Sequence, residues 1–237
     1  MPRASRYMRN GYTYHLTHRC HDRRFLLRFV RDRDVYRRWL REAARRYDVA
    51  VYGYCITSNH VHLVVHADDK VRIGLMMHLV AGVFARQFNR RKRHDGSVWE
   101  HPYHCTVIQD GVHLINCLCY VSLNMVRTGV VDHPQEWRWS AHDELMGTRT
   151  RYRVVAIDRL LESLTIARRE DFLKLYEGKI EELMQKNELR REASWTEAVA
   201  IGEREFVEDV ATNTIRRSHF RYTQTCNSDG VKSWSLR

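Results

Sequence analysis

Two stretches of the chain carry side chains that could together hold a cation and attack an electrophile. In Asn59-His60-Val61-His62-Leu63-Val64-Val65-His66, two imidazoles stand two residues apart in a run of strand formers. Successive side chains of a strand point to opposite faces, so His60 and His62 share one face while Val61, Leu63 and Val65 share the other. Two imidazoles about 7 Å apart along the backbone can converge on one cation. The second stretch is a helix expected over residues 110–129. Its Leu114, Leu118, Val121 and Met125 lie within roughly 60° of each other on the helical wheel and form a stripe for burial. His113, Tyr120, Asn124 and Arg127 also cluster within about 60°, roughly 120° from that stripe. One side of the helix thus collects an imidazole, a phenol, an amide and a guanidinium. A phenol, with a pKa of about 10, is a poor nucleophile until it is activated.

Other elements must position these groups. The alternation in residues 11–17 predicts a strand, and the three- and four-residue spacing of Tyr36, Trp39, Leu40, Ala43, Ala44 and Tyr47 predicts a helix over 31–47. Residues 49–57 and 60–66 read as two strands joined by a short turn. Residues 72–90 form a helix with a core stripe from Ile73 to Phe88, and 103–109 a further strand. The order β-α-β-β-α-β is the split βαβ arrangement of ferredoxin-like folds, an α+β class with an antiparallel sheet and helices on one face. With the helices against the apolar face, His60 and His62 are expected on an open one. Residues 134–140 read as a packed loop around two tryptophans. Helices are expected over 167–189 and 195–210, and from 213 onward a basic, polar, flexible arm. The domain organisation is therefore expected to be an α+β unit over 1–147 that carries both chemical stretches, and a helical extension with a flexible tail over 148–237.

Composition restricts the partners. Lys plus Arg number 40 against 29 Asp plus Glu, a net charge of +11 that favours a polyanion, nucleic acid before membrane. Arg23 and Arg24 follow the first strand, and Arg90-Arg91-Lys92-Arg93-His94 ends the second long helix. Together with Arg127 they are the candidate phosphate contacts. The six cysteines form no C-x-x-C pair and read as small buried hydrophobes of a reducing compartment. Residues 1–10 lack an apolar leader core, and no later run approaches 18 apolar residues, so the expected location is the cytoplasm, with no membrane partner. No P-loop, G-x-S-x-G elbow or internal repeat is present.

The two chemical stretches, taken together and in this order, resemble the single-tyrosine HUH transposases, and among them the REP-associated tyrosine transposases. Asn59-His60-Val61-His62-Leu63-Val64 and Tyr120-Val121-Ser122-Leu123-Asn124-Met125-Val126-Arg127-Thr128-Gly129 carry the resemblance, which spans about residues 8–145. It implies a ferredoxin-like HUH endonuclease that cuts single-stranded DNA beside a hairpin through a 5′-phosphotyrosine. It implies His60 and His62 as the metal pair, Tyr120 as nucleophile and Asn124 as third ligand, with His104 and Glu100 also able to reach the cation. An amide and phosphate oxygens beside the imidazoles favour Mg²⁺ or Mn²⁺. The resemblance also allows a homodimer. Met125 and Ser58 stand where relatives often have Pro, and Thr128 where they have Ala. Without the helix proline, a straighter tyrosine helix is expected. Two further readings compete: a non-catalytic single-stranded nucleic-acid-binding protein on the same fold, though no clear RNP1 sequence is present, and a metallohydrolase using the histidine pair without Tyr120.

Overall fold

The computed structural model of the chain describes residues 8–186, 189–214, 221–226 and 232–236. The expected β-α-β-β-α-β order is formed by β1 (Tyr12–Arg19), α1 (Val30–Arg46), β2 (Ala50–Ile56), β3 (His60–Ala67), α2 (Lys70–Lys92) and β4 (His104–Ile108). There follow α3 (Val112–Ser122), α4 (Asn124–Arg127), α5 (His142–Leu145), α6 (Ile157–Ser163), α7 (Arg169–Gln185) and α8 (Ser194–Glu197). The described chain ends with β5 (Ala200–Gly202), α9 (Arg204–Thr214), β6 (Tyr222–Cys226) and β7 (Lys232–Leu236). One sheet runs in the order β2-β3-β1-β4-β5-β7-β6, antiparallel except for the β4–β5 pair. No helix among the described residues is long and apolar enough to cross a membrane.

Register decides what each face carries. Thr17 pairs with His62 on one side and His104 on the other, and His15 pairs with Val64 and Thr106. Directly paired residues point to the same face. Thr13, His15, Thr17, His60, His62, His66, His104 and Thr106 therefore share one polar face. Leu16, Val61, Leu63 and Val65 share the other, and α1 and α2 bury it with Tyr36, Leu40, Ile73, Met76, Val80 and Phe84. His18 belongs to that apolar side, stacked on Trp99 at 3.8 Å between ring centroids.

The histidine face is not open as expected. Helix α3 lies on it: a Cβ built on Gly53 would stand 2.7 Å from Leu118 Cδ2, so only glycine admits the helix this close to β2. The segment containing α8 covers the same face further along. Thr106 Oγ1 donates to Ala198 O at 2.7 Å, and His15 Nδ1 bonds Trp195 O at 2.7 Å. The α+β, ferredoxin-like core stands; what sequence periodicity could not show is that later chain returns to bury this polar face.

The C-terminal reading changes for a related reason. Residues 195–210 were expected as one helix, yet they hold α8, β5 and α9. The free edge of β4 takes Ala200 and Ile201 as parallel partners of Val107 and Ile108. Within the expected flexible arm, 222–226 and 232–236 pair with each other as β6 and β7, and β7 pairs with β5. The rest of that arm, 215–220, 227–231 and 237, lies outside the described residues, as do residues 1–7 of the polar N-terminus. Trp137 and Trp139 are buried as expected, each 4.6 Å from the Arg33 guanidinium carbon. Cys20, Cys55, Cys105, Cys117 and Cys119 are buried, as expected.

A fully buried carboxylate ties the sheet to the chain beyond it. Glu144 accepts bonds from the Tyr54 hydroxyl at 2.7 Å, from Val154 N at 2.6 Å, from Val155 N at 2.8 Å and from Arg37 at 3.1 Å. Removing one partner of such a buried network leaves the others desolvated and unpaired. Glu144→Ala is expected to lower the unfolding free energy by about 3–5 kcal/mol in urea titrations; a loss under about 1 kcal/mol would contradict this role.

Burial also lowers His15 to about 4, His18 to about 3 and His142 to about 4. These groups titrate near 6.5 once unfolded, so between about pH 6.5 and 4 the unfolded state binds more protons. Stability should be flat above about pH 7 and fall as pH drops through that window, read as melting temperature against pH. A melting temperature constant down to pH 4 would refute it.

Candidate active site

The site grows from β3 and the elements that touch its first two residues. His60 and His62 present their Nε2 atoms to each other at 3.0 Å. Their far nitrogens are tied to the backbone by two separate relays. On one side, Asn59 Nδ2 donates to Arg23 O at 3.2 Å, which aims Asn59 Oδ1 at His60 Nδ1, 2.7 Å away. A carbonyl cannot donate, so the amide oxygen accepts and His60 carries its hydrogen on Nδ1. On the other side, His15 Nδ1 donates to Trp195 O at 2.7 Å, leaving His15 Nε2 as an acceptor. That acceptor lies 2.9 Å from His62 Nδ1, which therefore holds the hydrogen of His62. Both facing Nε2 atoms are then lone pairs.

Burial lowers His60 to about 4 and holds His62 well below the usual imidazole range, with neighbouring histidines and cationic side chains adding to the effect. At neutral pH no proton sits between the two rings. Two lone pairs at 3.0 Å suit a shared cation: ligand nitrogens about 2.1 Å from a metal and at a right angle stand about 3 Å apart. Two buried oxygens, Thr17 Oγ1 and Asn124 Oδ1, have no hydrogen-bond partner among the described residues. Thr17 is the register partner of His62. No cluster of three His, Cys, Asp or Glu side chains suited to a metal occurs among the described residues. Asn124 Oδ1 is a buried oxygen, unpaired among the described residues, one helical turn beyond Tyr120. His104 instead bonds Ala198 O through Nε2 at 3.1 Å, which turns that nitrogen into a donor.

Tyr120 comes from the last turn of α3. Its ring lies 6.0 Å from His62 and 6.1 Å from His15, both edge-on, and 5.7 Å from Trp195. Arg127 places its guanidinium carbon 4.0 Å from the same ring and donates to Tyr120 O at 3.2 Å. That bond explains a departure from expectation. The tyrosine helix does not run straight: it breaks at Leu123, φ −80° and ψ 4°, although no proline is present. The Tyr120 carbonyl, which a continuous helix would bond to Asn124 N, is taken by the guanidinium. Gly129, at φ +67°, ends the following turn as expected of a C-cap. Burial raises the Tyr120 phenol, and Arg127 opposes that shift.

The structure thus gathers His60, His62, Tyr120 and Arg127. His113, on the same helical side by sequence, points instead toward Ser233 Oγ, 3.4 Å away. Arg127, expected among the DNA-contacting cations, lies against the Tyr120 ring rather than on the outer surface. Arg23, Arg24, Arg90, Lys92 and Arg93 are exposed, while Arg91 is half-buried and ion-paired with Asp32. Three participants escaped sequence reasoning: His15, Asn59 as an orienting group, and Trp195. Placing His15 beside His62 requires the β1–β3 register, and placing Trp195 requires a contact across 180 residues.

Residues 9–124, which include His60, His62, Tyr120 and Asn124, match the family model described as transposase IS200 like. The fold is similar to that of a REP-associated tyrosine transposase solved bound to a REP hairpin. The TM-score is 0.51 at 18% identity, covering 65% of this chain and 90% of that one. A comparison with curated proteins finds no match. Through residues 9–124 the chain is similar to the IS200-like transposases.

Proposed function

We propose that the chain nicks and rejoins single-stranded DNA beside a hairpin, through a 5′-phosphotyrosine at Tyr120. Catalysis is assigned to residues 1–147. The observation that carries the reading is the pair of facing His60 and His62 lone pairs, 3.0 Å apart, beside the Tyr120 ring. The hairpin is suggested by the REP hairpin bound to the transposase of similar fold, and the net charge of +11 suits a nucleic acid.

In the forward step the Tyr120 oxygen attacks phosphorus and forms the new P–O bond. The bond from phosphorus to the 3′-oxygen breaks, and that oxygen leaves as a 3′-hydroxyl after taking up a proton. The phenolic proton is lost to solvent. Reversal by a 3′-hydroxyl rejoins a strand with no external energy source, because one phosphate ester replaces another. His60, His62 and Asn124 would hold Mg²⁺ or Mn²⁺, an assignment that the amide oxygen favours over zinc. Such a cation would supply charge neutralisation at the scissile phosphate. Arg127 stabilises phenolate character on Tyr120 across 4.0 Å.

A non-catalytic DNA-binding role has one observation in its favour: Tyr120 is 7% exposed and lies beneath Trp195. Incubating labelled hairpin DNA with Mg²⁺, Mn²⁺ or EDTA, followed by a denaturing gel, separates the two. A metal-dependent covalent band that disappears in Tyr120→Phe is expected, with DNA binding changed less than about threefold. A persistent adduct in that variant would remove Tyr120 as nucleophile, and binding without cleavage would favour the non-catalytic role.

The relay through His15 predicts a second result. His15→Leu leaves His62 Nδ1–H without an acceptor, and losing such an orienting partner costs about 10- to 100-fold in metal affinity. His15→Gln, whose amide oxygen can replace Nε2, should bind Mn²⁺ within a few-fold of the parent. Mn²⁺ titration followed by electron paramagnetic resonance measures both. Equal affinity in a folded His15→Leu variant would show that the relay does not orient the pair.

A further inference from the structure

We infer that Phe25 and Phe29 form a platform on which unpaired bases of a single strand stack beside the active site, with the surrounding cations holding its phosphates. The inference rests on the reading of the chain as an enzyme of single-stranded DNA. It starts from two rings in an unusual setting. Phe25 is 66% exposed and Phe29 53%, whereas Phe84, Phe88 and Phe172 are buried and Phe206 is half-buried. Scattered apolar residues on a surface need no explanation, but two phenylalanines four residues apart on a cationic loop invite one.

The backbone beneath these rings is fixed. Cys20 N donates to Asn59 O at 2.8 Å, His21 N to Val98 O at 2.9 Å and Leu27 N to Ser58 O at 2.9 Å. Leu26 and Leu27 are buried between the two exposed rings. Asp22 and Arg23 hold positive φ angles of 52° and 54°, a conformation that disfavours non-glycine residues and persists only where neighbours enforce it. The loop is therefore a rigid mount, and it presents its aromatic rings outward while its aliphatic ones anchor it.

The mount is tied directly to the site. Arg23 O is the acceptor that orients Asn59, and Asn59 in turn orients His60. A strand whose phosphate sits at the histidine pair has this loop as its immediate neighbour. The cationic end of α2 meets the same loop: Lys92 Nζ lies 4.1 Å from the Phe29 ring centroid, and Arg24 bonds His94 at 3.3 Å. Among the described residues, Arg28, Arg31 and Lys92 make no ion pair, so their charge is available to a polyanion. A groove lined by Arg31, Phe88, Arg90 and Arg91 continues between α1 and α2.

Charge selects the occupant. A second copy of the chain docking through this same patch would place cations against cations. Single-stranded DNA supplies both complements at once, phosphates for the cations and π faces for the rings. Stacking tolerates any base, so the platform adds affinity without choosing a sequence.

The experiment measures binding of a fluorescein-labelled dT12 strand by anisotropy, in EDTA, over a range of salt concentrations. Both side chains are exposed, and melting curves check that the variants fold. Phe25→Ala with Phe29→Ala is expected to weaken binding at least about 10-fold, since each lost stacking contact is worth roughly 5- to 150-fold. The slope of affinity against salt should stay the same, because no phosphate contact is removed. Phe25→Trp with Phe29→Trp should restore the affinity, and Arg31→Ala with Lys92→Ala should reduce the salt slope. A double alanine variant that binds within twofold of the parent overturns the platform. So does one that binds normally but loses self-association on gel filtration. A parent protein that fails to bind dT12 overturns the DNA reading itself, and the platform with it.

Discussion

The arrangement on which the rest depends is the confrontation of two imidazole lone pairs. His60 and His62 face each other through Nε2 at 3.0 Å, a contact that repels unless a cation or proton lies between. Burial excludes the proton at neutral pH by holding both rings neutral. What keeps the rings in this orientation is a pair of backbone carbonyls, Arg23 O and Trp195 O, each acting through one intermediate side chain. Carbonyls have a single role in hydrogen bonding, so they fix tautomers that a hydroxyl or a water would leave free. A pair of imidazole lone pairs turned toward each other thus follows from ordinary backbone groups placed on either side of one strand.

The sheet is built to carry this polar constellation without losing stability. Its apolar face takes the large side chains of α1 and α2, and that half of the core would serve any ferredoxin-like domain. The other face is rich in histidine and threonine, and part of it is satisfied by bonds to the segment around α8. His15, His104 and Thr106 all find acceptors on the backbone of Trp195 or Ala198. Chain far beyond the conventional core therefore completes the hydrogen bonding of the site, and it also lays the Trp195 ring beside Tyr120.

Arg127 has two effects that a surface arginine could not have. Its bond to the Tyr120 carbonyl interrupts the helix at Leu123, and its charge over the phenol ring opposes the rise in pKa that burial imposes. The helix is interrupted without a proline, its freed carbonyl taken up by a side chain. Arg91, another cation expected to meet DNA, is held by the buried carboxylate of Asp32 and stabilises the α1–α2 pair. Of the cations expected to meet DNA, Arg23, Arg24, Arg90, Lys92 and Arg93 are exposed, on the loop between β1 and α1 and at the end of α2.

Local pattern alone determined the first six elements, because period-two alternation and three-to-four spacing are properties of the chain segment itself. It also determined that His60 and His62 share a face, and that Tyr120 and Arg127 share a helical side, since both follow from the geometry of single elements. Tertiary structure decided everything that depends on pairing. That His15 reaches His62 follows from the β1–β3 register, and that His113 turns away from Tyr120 follows from the position of β7. That residues 200–202, 222–226 and 232–236 are strands follows from the free edge that β4 offers, not from their own composition. Whether the histidine face is open was likewise undecidable locally, since it is covered by α3 and by the α8 segment, and the latter bonds it through backbone carbonyls that have no side-chain identity for a sequence to reveal.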